Sequence, residues 1–125
     1  MLKLLMLVSG WIEVLFGVSA LLAPLSVIEA VGGRGATVQM PTLALVSLLG
    51  AATLGLGVGA LFGRNHLETP GGLGAAYGLG LYNVVGAAVL LLFAVFDAGS
   101  AGLWAGAVLH VVMGGLFVYA FYSRR

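Results

Sequence analysis

The run Thr42-Leu-Ala-Leu-Val-Ser-Leu-Leu-Gly-Ala-Ala-Thr-Leu-Gly-Leu-Gly-Val-Gly-Ala-Leu-Phe62 contains no ionisable side chain. At about 1.5 Å per residue, a helix of this length crosses the roughly 30 Å hydrocarbon core of a bilayer. Three more runs share its character: Leu4–Ala23 before it, then Leu73–Phe96 and Leu103–Tyr122 after it. In hydrocarbon every backbone N–H and C=O needs an internal partner, so all four runs are expected to be helices. The expected fold is therefore all-α, an integral membrane four-helix bundle forming a single domain over residues 1–125.

Composition agrees. Hydrophobic residues make up 62% of the chain and charged residues only 7%, against about 25% charged in an ordinary soluble domain. A chain this small has no interior large enough to hide that much apolar surface, so lipid is the expected solvent and partner. The net charge of +1, with five basic residues in all, makes no nucleic-acid-binding patch. The lack of cysteine excludes disulfides, thiolate metal sites and cysteine nucleophiles. The first run follows Lys3 as a signal peptide would, but it is long and carries Glu13 at its centre, which marks a retained helix.

Basic residues orient the bundle. Lys3, Arg64, Arg124 and Arg125 fall on one side and Arg34 on the other, so the positive-inside rule predicts cytoplasmic termini in a cell membrane, most simply a bacterial inner membrane. Tyr119 and Tyr122 suit the inner interface and Trp104 the outer one. Between the first two spans, Ser26 and Glu29 form a capping-box pattern. One or two interfacial helical turns are expected there on the outer surface, stopped by Gly32-Gly33. Thr69-Pro70 and Ser100 read as starts of the third and fourth spans.

The 21 glycines fall in rows. Ser47, Ala51, Gly55, Gly59 and Gly63 recur every fourth residue in the second span, and Gly74, Gly78 and Gly86 keep that rhythm in the third. In the fourth, Gly102, Gly106 and Gly114 share a row with His110. Small residues four apart let helix backbones approach closely in lipid, so these rows are expected to pack helices within the chain, or against a second copy or another subunit.

Glu13, Thr53, Asn83 and His110 are the polar residues of interest within the spans, one on each. Counting from the helix starts at about 1.5 Å per residue places all four near the bilayer midplane. A polar group in hydrocarbon is costly without a partner, so the four are expected to face inward as one buried cluster. Such a cluster serves either as interhelical glue or as a ligand-binding or proton-handling site. Glu13 favours the second, because glutamine would supply the glue at lower cost.

Other chemistries find less support. One Glu and one His at the midplane fall short of a zinc or iron ligand set. His66 lies in the cytoplasmic loop, half a membrane from His110, so no bis-histidine haem forms within one chain. No cofactor and no metal are expected, and the alternative left open is a haem or metal bridged between two chains. Neither Ser9 nor Ser47 has an acid–base partner in a recognisable arrangement. Gly32-Gly33-Arg34-Gly35 lacks the ending of a phosphate loop.

Glu13 in the first span, Pro24 closing it, the Gly55/Gly57/Gly59 stretch, Tyr82-Asn83, Leu103-Trp104 and Leu109-His110 together resemble a group of small bacterial four-helix membrane proteins of unassigned activity. The resemblance covers most of the chain and departs at Ala105, where the group usually has proline. It implies that Glu13, Asn83 and His110 belong together, with Tyr82 beside them. Trp11-Ile-Glu13-Val is similar to the segment around the membrane-embedded glutamate of small multidrug resistance transporters, which exchange protons for cationic solutes. Their Tyr-Ala-x-Trp pattern is missing from the third span. Fluoride channels are disfavoured, since their Asn-bearing second helix and Phe-rich third helix are absent.

The expected function is accordingly non-enzymatic: a midplane polar site that binds a small ligand or stabilises a membrane assembly. The alternatives are a proton-coupled transporter using Glu13, and a cofactor-bearing subunit using His110.

Overall fold

A computed structural model describes residues 1–32, 38–96 and 100–124. Gly33, Arg34 and Arg125, which enter the orientation and helix-stop expectations above, lie outside the described residues. Five helices follow in chain order: α1 (Leu2–Leu22), α2 (Pro24–Gly32), α3 (Met40–Gly63), α4 (Pro70–Phe96) and α5 (Ala101–Tyr122). All but α2 are long and apolar enough to cross a membrane, and the chain is a multi-pass all-α membrane protein. Large apolar side chains such as Leu22 and Phe62 are 81% and 77% exposed in the isolated chain. Acyl chains are the medium in which that surface is stable.

Local chemistry sets the helix ends. α1 stops at Ala23, whose backbone leaves the helical region at φ −142° and ψ 57°, because the ring of Pro24 disfavours helical geometry in the residue before it. Pro24 then opens α2, where its fixed φ and missing N–H cost nothing. The expected Ser26/Glu29 capping box does not form. The proline starts the helix two residues earlier, so Ser26 lies inside it and not at its cap. Thr69 caps α4: its Oγ1 accepts from the Gly72 amide at 3.1 Å and donates to the His66 carbonyl at 2.8 Å. Ser100 caps α5, with Oγ accepting from the Leu103 amide at 3.2 Å.

The long helices associate as two antiparallel pairs. α1 lies along α3 with glycine facing backbone at both ends of the seam. A Cβ on Gly17 would stand 2.7 Å from the Gly50 carbonyl, and one on Gly57 would stand 2.6 Å from the Gly10 carbonyl. Only glycine permits approach this close. In the second pair, Gly80 of α4 receives Phe117 and Phe121 of α5, while Gly114 of α5 sits against Val84 and the Asn83 backbone.

The two pairs meet firmly at one end. Leu2, Leu5 and Met6 from the start of α1, Ala60 from the end of α3, Ala76 and Leu79 from the start of α4, and Met113, Phe117 and Ala120 from the end of α5 form the main core. Because this core joins the first turns of α1 to the last turns of α5, both termini are at the same end of the bundle. Towards the opposite end the pairs separate, and α2 lies across the gap. α2 is fastened there to α5, with the Ser100 hydroxyl donating to the Val31 carbonyl and Gly102 seated against the Ala30 and Val31 backbone.

Candidate functional site: a midplane cleft

The gap between the pairs is a cleft of about 900 Å³. Ile12, Glu13 and Phe16 of α1 form its floor, Val46 and Leu49 of α3 one wall, and α4 and α5 the other. Val27, Ile28 and Val31 of α2 cover the end of the cleft away from the main core. The lining is apolar except for three side chains, Glu13, Tyr82 and His110.

Glu13 is only 3% exposed, at the level where α1 crosses Thr53 and Leu54 of α3 between the two glycine contacts. No hydrogen bond from a described residue reaches its carboxyl group. No side-chain nitrogen or oxygen among the described residues is both sealed from the surface and unbonded. The Glu13 oxygens therefore open onto the cleft.

His110 stands in the α4–α5 seam because α4 offers Gly86 opposite it. A Cβ at that position would lie 2.5 Å from the imidazole Cδ2. Its Nδ1 is 3.0 Å from the Gly106 carbonyl one turn back. A carbonyl can only accept, so Nδ1 carries a proton in this contact, and Nε2 has no described partner. Tyr82 packs its ring edge-on against His110, with centroids 5.5 Å apart at 62°, a preferred aromatic geometry.

The expected four-residue cluster divides. Asn83 is buried on the other side of α4, where its Nδ2 donates to the Leu79 carbonyl at 2.9 Å and to Ser9 Oγ of α1 at 3.3 Å. Thr53 is fully buried and returns its hydroxyl proton to the Gly50 carbonyl of its own helix at 3.1 Å. Equal depth is not equal direction. Tyr82 and Asn83 are adjacent in sequence, so on a helix they diverge by about 100°, and only Tyr82 faces the cleft. Glu13, Tyr82 and His110 share the cavity, and Asn83 and Thr53 hold helices.

The glycine rows are also redistributed. Gly63 packs as expected, its Cβ position 3.0 Å from Ala75. Gly106 borders the cleft beside Leu90, and Gly114 seats α4. Gly55 and Gly59, by contrast, have nothing within 4 Å of a Cβ and face away from the bundle. The row that α3 turns inward is Gly50, Thr53, Gly57 and Ala60.

Among the described residues no three His, Cys, Asp or Glu side chains gather as a metal site would require. Compared with protein-family models, curated proteins and solved structures, the chain matches none. The chemistry of the site therefore rests on its own geometry. Ser9 was the missed partner. It sits one turn before Glu13 as a small residue, and its value as a hydroxyl becomes visible only once Asn83 stands opposite it.

Proposed function

We propose that this chain is a non-enzymatic membrane protein whose cleft binds a small molecule dissolved in the bilayer, with Glu13, Tyr82 and His110 as its polar contacts. The observation that carries the proposal is Glu13: a carboxyl withdrawn from the surface, given no partner by the described residues, and open to an apolar cavity. Burying a carboxyl unsatisfied is expensive, and a side chain needed only for packing would be apolar or internally bonded, as Asn83 is.

The test is to fill the cavity. Val85→Trp places an indole at the cleft mouth on a residue that is 51% exposed, leaving both helix seams intact. Purified wild type incubated with an extract of total membrane small molecules should retain a bound species in native mass spectrometry, and Val85→Trp should not. Equal retention by the two proteins would overturn the proposal.

A second reading, proton-coupled transport of cationic solutes, is favoured by the same access to Glu13 and predicts a Glu13-dependent, pH-driven flux in liposomes. A pigment or haem on His110 would need a second chain and would show as visible absorbance. We assign cytoplasmic termini from the charge distribution of the sequence, and a bacterial inner membrane from the resemblance to small bacterial four-helix proteins. Self-association or assembly with another subunit would use the outward Gly55/Gly59 row.

A further inference from the structure

The cleft has a defined polarity of its own, and resting on the binding reading above, it specifies the head group of the ligand. Three features converge. The His110 ring donates its Nδ1–H to the Gly106 carbonyl, and Nε2, which has no described partner, is an acceptor in the neutral ring. The Glu13 carboxyl, 3% exposed and without a described hydrogen-bond partner, offers the same cavity at least one acceptor oxygen whether or not it is ionised. Among the described residues no lysine or arginine stands in the lining, and its remaining polar atom is the Tyr82 hydroxyl, which can donate as well as accept. A ligand whose head only accepts hydrogen bonds would leave both acceptors unmet and could pair only with the Tyr82 hydroxyl. An anionic head would face the Glu13 carboxyl with no described basic side chain in the lining to balance it.

The opening determines the rest of the molecule. Leu49, Leu81 and Val85 line the cleft and are 43%, 65% and 51% exposed. They sit in the middle of α3 and α4, so the mouth between those helices faces acyl chains and not water. One end is covered by α2, and the opposite end is closed by the core around Met6, Leu79 and Phe117. Entry is lateral, from the bilayer, and an apolar body is needed to make it.

We infer that the cleft between α3 and α4 selects a membrane-dissolved molecule with an apolar body and a hydrogen-bond-donating head, a hydroxyl or an ammonium, held by Glu13 and His110. The two heads share one recognition chemistry, donation to a pair of acceptors, and Glu13 separates them. A carboxylate prefers the cation, whereas an amide accepts from a hydroxyl equally well.

The probes are decanol, decylammonium, methyl decyl ether and decanoate, added to the protein in nanodiscs at matched mole fraction in the bilayer, with thermal midpoint as the readout. Decanol or decylammonium should reach half-maximal stabilisation at a mole fraction about tenfold lower than the ether, the cost of leaving buried acceptors unpaired. Decanoate should give no specific shift. Glu13→Leu should abolish the preference for donors. Glu13→Gln should keep binding of decanol while removing any advantage of decylammonium over it, which tells the two heads apart. If the ether matches the donors and Val85→Trp blocks them all, the cleft binds but the head-group inference is overturned. If Val85→Trp leaves every shift in place, the probes lie on the outer surface and the binding reading falls with it. If none of the four probes shifts wild type, the head-group inference is overturned while the extract experiment still decides the cleft.

Discussion

α3 carries two glycine rows that look alike in sequence and have opposite surroundings. Gly50 and Gly57 touch the α1 backbone so closely that a Cβ would stand 2.9 Å from the Gly17 carbonyl and 2.6 Å from the Gly10 carbonyl. Gly55 and Gly59, one side of the helix away, meet nothing within 4 Å. The intrinsic property is the same in both rows, a missing side chain. The difference lies in the partner: α1 supplies Gly10 and Gly17 at the spacing that Gly57 and Gly50 need for an antiparallel seam. Small-residue spacing in a membrane helix is therefore a statement about one face only when the facing helix repeats it.

The strongest way to test this contrast is Gly57→Leu. A leucine there must displace the α1 backbone, and we expect a loss of about 3 kcal/mol in detergent, read by unfolding titration. Asn83→Ala should cost less, about 1–2 kcal/mol, since it removes one bond across to α1 and leaves Ser9 unpartnered. Adding Ser9→Ala to it should bring little further loss, because the two side chains share one interaction. Glu13→Gln should leave stability within about 0.5 kcal/mol, because no internal partner of the carboxyl is lost. Gly59→Leu should have the smallest effect, again within about 0.5 kcal/mol, and leave the monomer unfolding transition unmoved. A large destabilisation by Gly59→Leu together with a smaller particle on size exclusion would show that a second chain covers the outer row, and the contrast within α3 would then disappear.

The gross architecture was legible because its determinants are one-dimensional. Run length and hydropathy give the four long helices, and Thr69, Pro70 and Ser100 act on the amides next to them. Rotation about each helix axis was not legible. The hydrophobic pattern that marks the buried face of a soluble helix is nearly absent when lipid-facing and core-facing positions are both apolar. Depth along the axis could be counted, which is why Glu13, Thr53, Asn83 and His110 were placed at one level. Their azimuths could not, and the sequence offered no means of separating Glu13 and His110 in the cleft from Asn83 and Thr53 in the seams. The capping box at Ser26 failed for a different reason: two local signals competed, and the steric demand of Pro24 on Ala23 outranked a side-chain hydrogen bond.

The fastening of α2 to α5 has a consequence for how the molecule is made. The α1–α3 seam involves residues up to Leu61, so it can close while the rest of the chain is still being synthesised. The roof of the cleft is different, since its anchor points Ser100 and Gly102 belong to α5, the fourth membrane-length helix among the described residues. A nascent chain halted after Phe96 is a trough with a floor and no fixed cover, its carboxyl-bearing helix open to lipid along one side. Insertion of α5 supplies His110 and anchors the roof in the same step, so the cleft is complete only once that helix is in place.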